Sequence, residues 1–329
     1  MTPIRCAVVG AGHFGRYHAQ KYAKLAGAEL VAIVDGNSAR SQALAQEFGT
    51  RAETSLDAVI GRIDAASVAV PTRAHFEVAT KLLDAGIHVL VEKPIAETPA
   101  QAAHMIALAT RRRRVLQVGH LQRFLLQRMG IAARVTKPLF IEAVRIAPFK
   151  PRGTDVGVVL DLMIHDIDLI LALVKSPVVS VDAVGGPVVT QNEDIVNARF
   201  RFANGCVATA TASRIGFKTE RRLRIFQPQN YLSVDLAARK LFAFSRGAGH
   251  TDAAGMPAID RDENSFPDGD DLMDEIAAFV DCVREDRPPL VSGEDGLHAL
   301  ETALRVTASV EETLELAGLG ERRPLSNAT

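Results

Sequence analysis

The chain has almost no charge imbalance: 38 Lys and Arg stand against 39 Asp and Glu, a formal net charge of −1 over 329 residues. Such a balance provides no basic stripe for nucleic acid and no cationic face for a membrane, so neither partner is expected. Cysteine is scarce as well. Cys6, Cys206 and Cys282 lie far apart, without the close spacing of a metal site or a disulfide framework. They fit buried thiols in a reducing, cytoplasmic setting, and no metal is expected. No apolar run approaches the length that spans a bilayer. The opening MTPIRCAVVGAG lacks the charged stretch and long apolar core of a secretion signal, and no internal repeat is visible. What remains is 47% hydrophobic and 23% charged, the composition of an ordinary globular enzyme, and too long for one ordinary core.

Residues 4 to about 120 alternate short apolar runs with helical stretches. IRCAVVG, ELVAIVD, AASVAVP, IHVLVEKP and VLQVGH read as strands, with GRYHAQKYAKL, a helix capped by Ser38 and ending near Gly49, and HFEVATKLLDAG between them. Thr98, Pro99 and Gln101 spell a helix start with a capping box. The arginines at 111–114 suit the end of that helix, where cations complement the dipole. Strands that are apolar throughout and alternate with helices predict a parallel sheet covered on both faces. After about residue 122 the rhythm changes. A strand near FIEAVRIAPF and the helix VVLDLMIHDIDLILALV lead into six stretches of alternating apolar and polar residues between 177 and 247, an antiparallel or mixed sheet. Residues 247–270, rich in Gly, Pro and Asp, predict a mobile loop, and two helices near 271–286 and 294–317 finish the chain. The fold class is therefore α/β: a Rossmann-type parallel-sheet domain over 1–122, then an α+β domain over 123–329 whose sheet is either solvated on one face or an oligomer surface.

The turn after the first strand carries Gly10-x-Gly12-x-x-Gly15 and opens the first helix, the context a dinucleotide fingerprint requires. Gly10 serves the tight turn, Gly12 the approach of a pyrophosphate, and Gly15 close helix–strand packing. Backbone N–H groups near His13 and Phe14 would face the phosphates. Asp35, ending the second strand, suits the adenosine ribose hydroxyls and repels a 2′-phosphate. NAD is thus expected over NADP, although Arg40 could counter a phosphate. Pro71, Thr72 and His75 follow one strand and Glu92 and Lys93 another, at the mouths where open α/β sheets bind ligands. Farther on, Asp161 and His165 are four residues apart, one face of a helix, with Asp168 able to flank the ring. A carboxylate beside an imidazole can orient it and support proton transfer near neutral pH.

GAGHFG…H, VPTRAHFEVATKLLDAGIHVLVEKPIA and DLMIHDID, in this order, resemble the glucose–fructose oxidoreductase / inositol dehydrogenase / MocA (Gfo/Idh/MocA) family, over nearly the whole chain to GEDGLHALETAL. That resemblance implies a Rossmann domain binding NAD(P) and a second, mixed-sheet domain. It implies that Lys93 positions the reacting alcohol, that His165 shuttles its proton with Asp161 beside it, and that the Lys93–Pro94 peptide is cis. Within the family, VGHLQRF and TASRIGFKTERRLRIFQPQNYLSVDL look most like the nucleotide-sugar 3-dehydrogenases, among them those that oxidise UDP-N-acetylglucosamine for 3-amino-sugar lipid A. That implies a UDP-sugar substrate, a 3-keto product for a pyridoxal-phosphate (PLP) aminotransferase, and a dimer or tetramer. Relatives often read Arg-Phe-Asn-Pro where this chain has Arg123-Phe124-Leu125-Leu126, which bears on His120 and Arg123 as substrate contacts. Gly157-Val158-Val159 replaces the glycine-rich start of inositol-type members and moves weight away from free polyols. Arg123, Arg145, Arg214, Arg221, Arg222 and Arg224 are the arginine candidates for a diphosphate. The alternatives are another dehydrogenase of the family (UDP-uronic acid, free sugar or inositol) and an NAD-binding sensor without turnover.

Overall fold

The apolar runs of the first half do pair side by side. In the structure, a computed structural model describing residues 2–151, 156–251 and 257–319, the chain divides into two compact units. The first comprises the residues up to Arg128 together with Gly269–Leu300, the second Met129–Asp268 with the residues from Glu301. The boundary expected after residue 122 thus falls at the start of a helix, and the second domain is interrupted rather than continuous.

In the first unit, strands β1 (Ile4–Val9), β2 (Ala28–Val34), β3 (Arg51–Glu53), β4 (Ala65–Val68), β5 (His88–Glu92) and β6 (Leu116–Gly119) alternate with helices α1 (His13–Lys24), α2 (Ser38–Phe48), α3 (His75–Asp84), α4 (Pro99–Arg112) and α5 (Gln122–Arg128). The strands pair in parallel in the order β3-β2-β1-β4-β5-β6. Order reverses between β1 and β4, the switch point at which such sheets bind ligands. Two details differ from expectation. The cap of α2 is Asn37, not Ser38: its side chain accepts from the N–H groups of Ala39 and Arg40, and a β-region backbone at Asn37 aims it there. β3, with Arg51 exposed and Ala52 and Glu53 half-buried, is too short to carry a pattern. Thr98 and Gln101 form the expected reciprocal box, with Pro99 in the first turn.

The second unit begins with α6 (Ile131–Arg134), β7 (Phe140–Ile146), a π-helical stretch Val159–Met163 and α7 (Ile164–Val174), followed by β8 (Val178–Gly186), β9 (Ile195–Phe202), β10 (Val207–Ser213), β11 (Glu220–Gln227), β12 (Asn230–Asp235), β13 (Lys240–Thr251) and β14 (Pro257–Ser265). The sheet order is β14-β13-β12-β11-β7-β10-β9-β8, with β7 and β10 parallel and the other neighbours antiparallel. The mobile loop expected over 247–270 is corrected here. β13 runs on to Thr251 and β14 pairs with it, a charged edge strand carrying Asp260, Arg261, Asp262 and Glu263. Such polar residues keep an edge from templating further strands, and they also hide it from a hydrophobicity reading. Residues 252–256 of the expected loop lie outside the described residues. On β10, Ala208, Ala210 and Ala212 are fully buried while Thr209 and Thr211 are half-buried on the other face.

Two helices close the chain, α8 (Asp271–Glu285) and α9 (Gly293–Leu316). α8 packs into the first unit: Ile276, Phe279, Val280 and Cys282 share a core with Cys6, Val8, Tyr22 and Ile33. α9 starts in the first unit and continues in the second, where Thr313 donates to the Ala183 carbonyl and Ser309 accepts from its N–H. No helix among the described residues is long and apolar enough to cross a membrane.

Candidate active site

The turn after β1 is built around glycine. Gly10 has φ +106°, and a Cβ there would stand 2.5 Å from the Ala69 carbonyl oxygen after β4. A Cβ on Gly15 would stand 1.7 Å from the Gly10 oxygen, so α1 could not approach β1 with any larger residue. Gly12 is different: a Cβ there meets nothing within 4 Å. The residues therefore fit a dinucleotide, with open space over Gly12 for a pyrophosphate and an α1 start that has no acidic first-turn residue. His13 and Phe14 lie exposed on that first turn, with His13 edge-on to Phe14 and Tyr17.

Asp35 ties the turn to the mouth of β2. One carboxylate oxygen accepts from the Ala11 N–H at 2.7 Å, the other from the Asn37 N–H at 2.8 Å. Arg40 is exposed in the first turn of α2. After β4, Pro71 precedes a short 3₁₀ turn containing Thr72, and His75 begins α3. The His75 ring is buried between the carbonyl oxygens of Val70 and Pro94, each 2.9 Å from a ring nitrogen. Burial lowers its pKa, against the pull of those two carbonyls. It links the segments after β4 and β5 rather than presenting a ring to open space.

β5 ends in Glu92, and the Lys93–Pro94 peptide is cis. Glu92 reaches inward, Oε1 lying 2.8 Å from Nε2 of His18 on α1. His18 Nδ1 is 3.0 Å from Ser67 Oγ, and Ser67 Oγ is 2.8 Å from the Tyr22 hydroxyl. Burial alone would raise the Glu92 carboxyl, but the hydrogen bond and charge of His18, with Lys93 and His75 nearby, outweigh it and hold the group below its usual value. Ser67 and Tyr22 carry no sequence signal; His18 has one, standing three residues after the glycine fingerprint on the helix face that is buried.

His120 is buried just after β6, and the Arg123 guanidinium lies 3.0 Å from Asp295 at the start of α9. In the second unit, Asp161 lies in the π-helical stretch and His165 in the first turn of α7, both half-buried. The wider turn at Asp161 has no sequence signature, and single π turns recur at functional sites. Asp166 is turned to Arg145: two 2.7 Å bonds join them in a buried, bidentate pair. Asp168 is buried on α7.

Residues 4–120 match the oxidoreductase family with an NAD-binding Rossmann fold, and residues 145–229 match the GFO/IDH/MocA C-terminal domain. A UDP-N-acetylglucosamine 3-dehydrogenase of Acidithiobacillus ferrooxidans is 38% identical over 320 residues, 96% of this chain and 100% of the relative. A solved structure of that enzyme superposes with a TM-score of 0.89 at 38% identity, covering 96% of this chain and 100% of the other. The D-glucoside 3-dehydrogenase of Escherichia coli K12 is 36% identical over 141 residues, 41% of this chain and 40% of the relative. This chain belongs to the GFO/IDH/MocA family. It is an NAD-dependent oxidoreductase with the Rossmann and mixed-sheet architecture of that family.

Membership gives the arginines a context. Arg145 is committed to Asp166; Arg214 donates to the Val156 carbonyl and stands 3.8 Å from Asp194. Arg222 pairs with Glu220 and Arg224 with Glu142. Arg221 is half-buried on β11. The arginines singled out for a diphosphate are thus held largely by carboxylates and carbonyls of their own unit. The sequence shows a guanidinium but not which acceptor folding brings to it.

Proposed function

We propose that the protein oxidises the 3-hydroxyl of UDP-N-acetylglucosamine to a 3-keto sugar nucleotide. The observation that supports this most is coverage: the likeness to the Acidithiobacillus enzyme extends through both units and omits almost none of either chain. Bound NAD supplies the hydride acceptor. Lys93, at the mouth of β5, holds and polarises the alcohol oxygen. His165 takes the hydroxyl proton, and Asp161, four residues earlier, orients the ring and favours its charged form. His120 and Arg123 belong to the substrate side, and Gly10, Gly12, Gly15, Asp35, Thr72 and Glu92 to the cofactor side. A carboxylate at Asp35 supports NAD over NADP by repelling a 2′-phosphate. The 3-keto product is the kind of carbonyl a PLP-dependent aminotransferase converts to an amine, as in the making of 3-amino-sugar lipid A. The mixed sheet exposes Phe226, Phe244 and Ile259, which supports a homo-oligomer built on that face.

The test is to incubate protein, NAD and UDP-N-acetylglucosamine with hydroxylamine and look by mass spectrometry for the oxime of a keto sugar nucleotide. Trapping matters because alcohol oxidation by NAD is uphill near neutral pH. With a 3-deuterated sugar, an oxime that has lost the deuterium, together with deuterated NADH, establishes the reaction and its position. No oxime, with NAD binding intact, removes this substrate. Lys93→Ala turning over at the wild-type rate would remove the role given to Lys93.

A further inference from the structure

Near Glu92 lies a second carboxyl that the reaction does not use. Glu275 on α8 is fully buried, and among the described residues neither of its oxygens has a hydrogen-bond partner. Its own backbone carbonyl accepts from the Gln117 side chain of β6 at 3.1 Å. It stands close enough to Glu92 for the two charges to feel each other. Two carboxyls in one buried site cannot both ionise, so the site holds one negative charge and one proton.

The surroundings decide which group carries the charge. A carboxylate only accepts, so the short His18–Glu92 contact requires the proton on Nε2 of His18 in either charge state of the ring. Ser67 and Tyr22 continue the chain from Nδ1, and His18, Ser67 and Tyr22 are at most 1% exposed. Glu92 thus has a donor and a neighbouring ammonium; Glu275 has neither. Gly119 completes the enclosure, since a Cβ there would press on Glu92 Oε2 at 3.1 Å. Among the described residues, the titratable and charged groups facing Glu92 are His18 from α1, His75 from α3, Glu275 from α8, and Lys93 next in the chain, while Tyr22 and Cys6 lie on the Glu275 side. In keeping with the geometry, burial and then the charge of Glu92 push the Glu275 carboxyl well above its usual value.

We infer that His18 is a positioning residue for Lys93: it fixes the Glu92 carboxylate beside the amine, while Glu275 stays the neutral acid and leaves that carboxylate the single negative charge of the cluster. The inference rests on the role proposed for Lys93 in the reaction, and its test does not need turnover. The rate of acetylation of Lys93 by trace acetic anhydride is followed by mass spectrometry across pH, in the protein without cofactor. Removing a fixed carboxylate destabilises the ammonium. The titration midpoint of Lys93 therefore moves to lower pH by about one unit in Glu92→Gln, and in the same direction by less in His18→Gln. It stays at the wild-type value in Glu275→Gln, because an acid already neutral is replaced by a neutral isostere. In the active enzyme, the limb of the kcat/KM profile governed by Lys93 moves to lower pH by the same amounts. An unmoved midpoint in Glu92→Gln, or a shift in Glu275→Gln as large as in Glu92→Gln, overturns the inference. Circular dichroism checks folding, and if His18→Gln does not fold, the two glutamate variants decide alone. Lys93→Ala with normal turnover would remove the catalytic role while leaving the titration result standing.

Discussion

Gly15 has no room for a methyl group, because the Gly10 carbonyl oxygen occupies the place a Cβ would take. Gly15→Ala must push α1 away from β1, and we expect about 1–3 kcal/mol of lost stability, the range of an overpacked site, together with at least tenfold weaker NAD binding. Thermal melts and cofactor titration check both. His88 gives a second residue-scale expectation. Its ring, 8% exposed at the start of β5, accepts from the Val115 N–H, and burial followed by the charge of Arg114 lowers its pKa from 6.5 to about 4. Between those values the unfolded chain binds a proton the folded one refuses, so stability is full above pH 6.5 and falls as pH drops toward 4. The slope is at most about 1.4 kcal/mol per pH unit. Urea unfolding at several pH values should give a flatter profile for His88→Gln; identical slopes would refute the assignment.

Caps and turns set local stability at the scale of elements. The start of α4 is held by the Thr98 hydroxyl accepting from the Gln101 N–H at 3.3 Å and by the Gln101 side chain returning to the Thr98 N–H at 3.2 Å. Thr98→Ala should cost about 1 kcal/mol, read as a lower melting temperature with unchanged turnover. Before β9, the Asp194 carboxylate accepts from the N–H groups of Val188, Val189 and Thr190 at 2.6–2.8 Å. Burial alone would raise this carboxyl, yet the three N–H groups hold it below its ordinary 3.8. Its stabilisation is therefore complete above pH 3.8 and is lost as pH falls below it. Asp194→Asn, which keeps the shape and removes the charge, should lose about 1.5–3 kcal/mol at neutral pH. The difference from wild type should shrink on acidification. Elements with strong local signals were legible in the sequence: the apolar strands of the first unit, the Thr98–Pro99–Gln101 start and the alternation of β9 and β10. β14 was not, because its edge position rewards charge instead of alternation.

For the molecule as a whole, the first unit is completed from the other end of the chain. A fragment ending at Arg128 lacks Ile276, Phe279 and Val280, which pack against Val8 and Tyr22. It should neither fold cooperatively nor bind NAD, whereas the same fragment joined to Gly269–Leu300 through a linker should regain both; circular dichroism and cofactor titration decide. The three cysteines, each no more than 1% exposed, should react with a thiol reagent only after unfolding, since burial also raises each thiol and leaves little thiolate.

Some features followed from sequence because they depend on neighbours along the chain: the glycine turn, the capping box, Lys93 at the end of an apolar run, and the four-residue spacing of Asp161 and His165. Backbone sterics, side-chain caps and helical period act over a few residues and leave local marks. The remaining features arise where distant segments meet. Arg145 meets Asp166, Arg123 meets Asp295, and α8 meets the Rossmann core. The cluster around Glu92 likewise draws His18, Ser67, Glu92 and Glu275 from four separate elements. A hydrogen bond or a shared buried charge is set by proximity in space, and only the folded chain decides which groups are near.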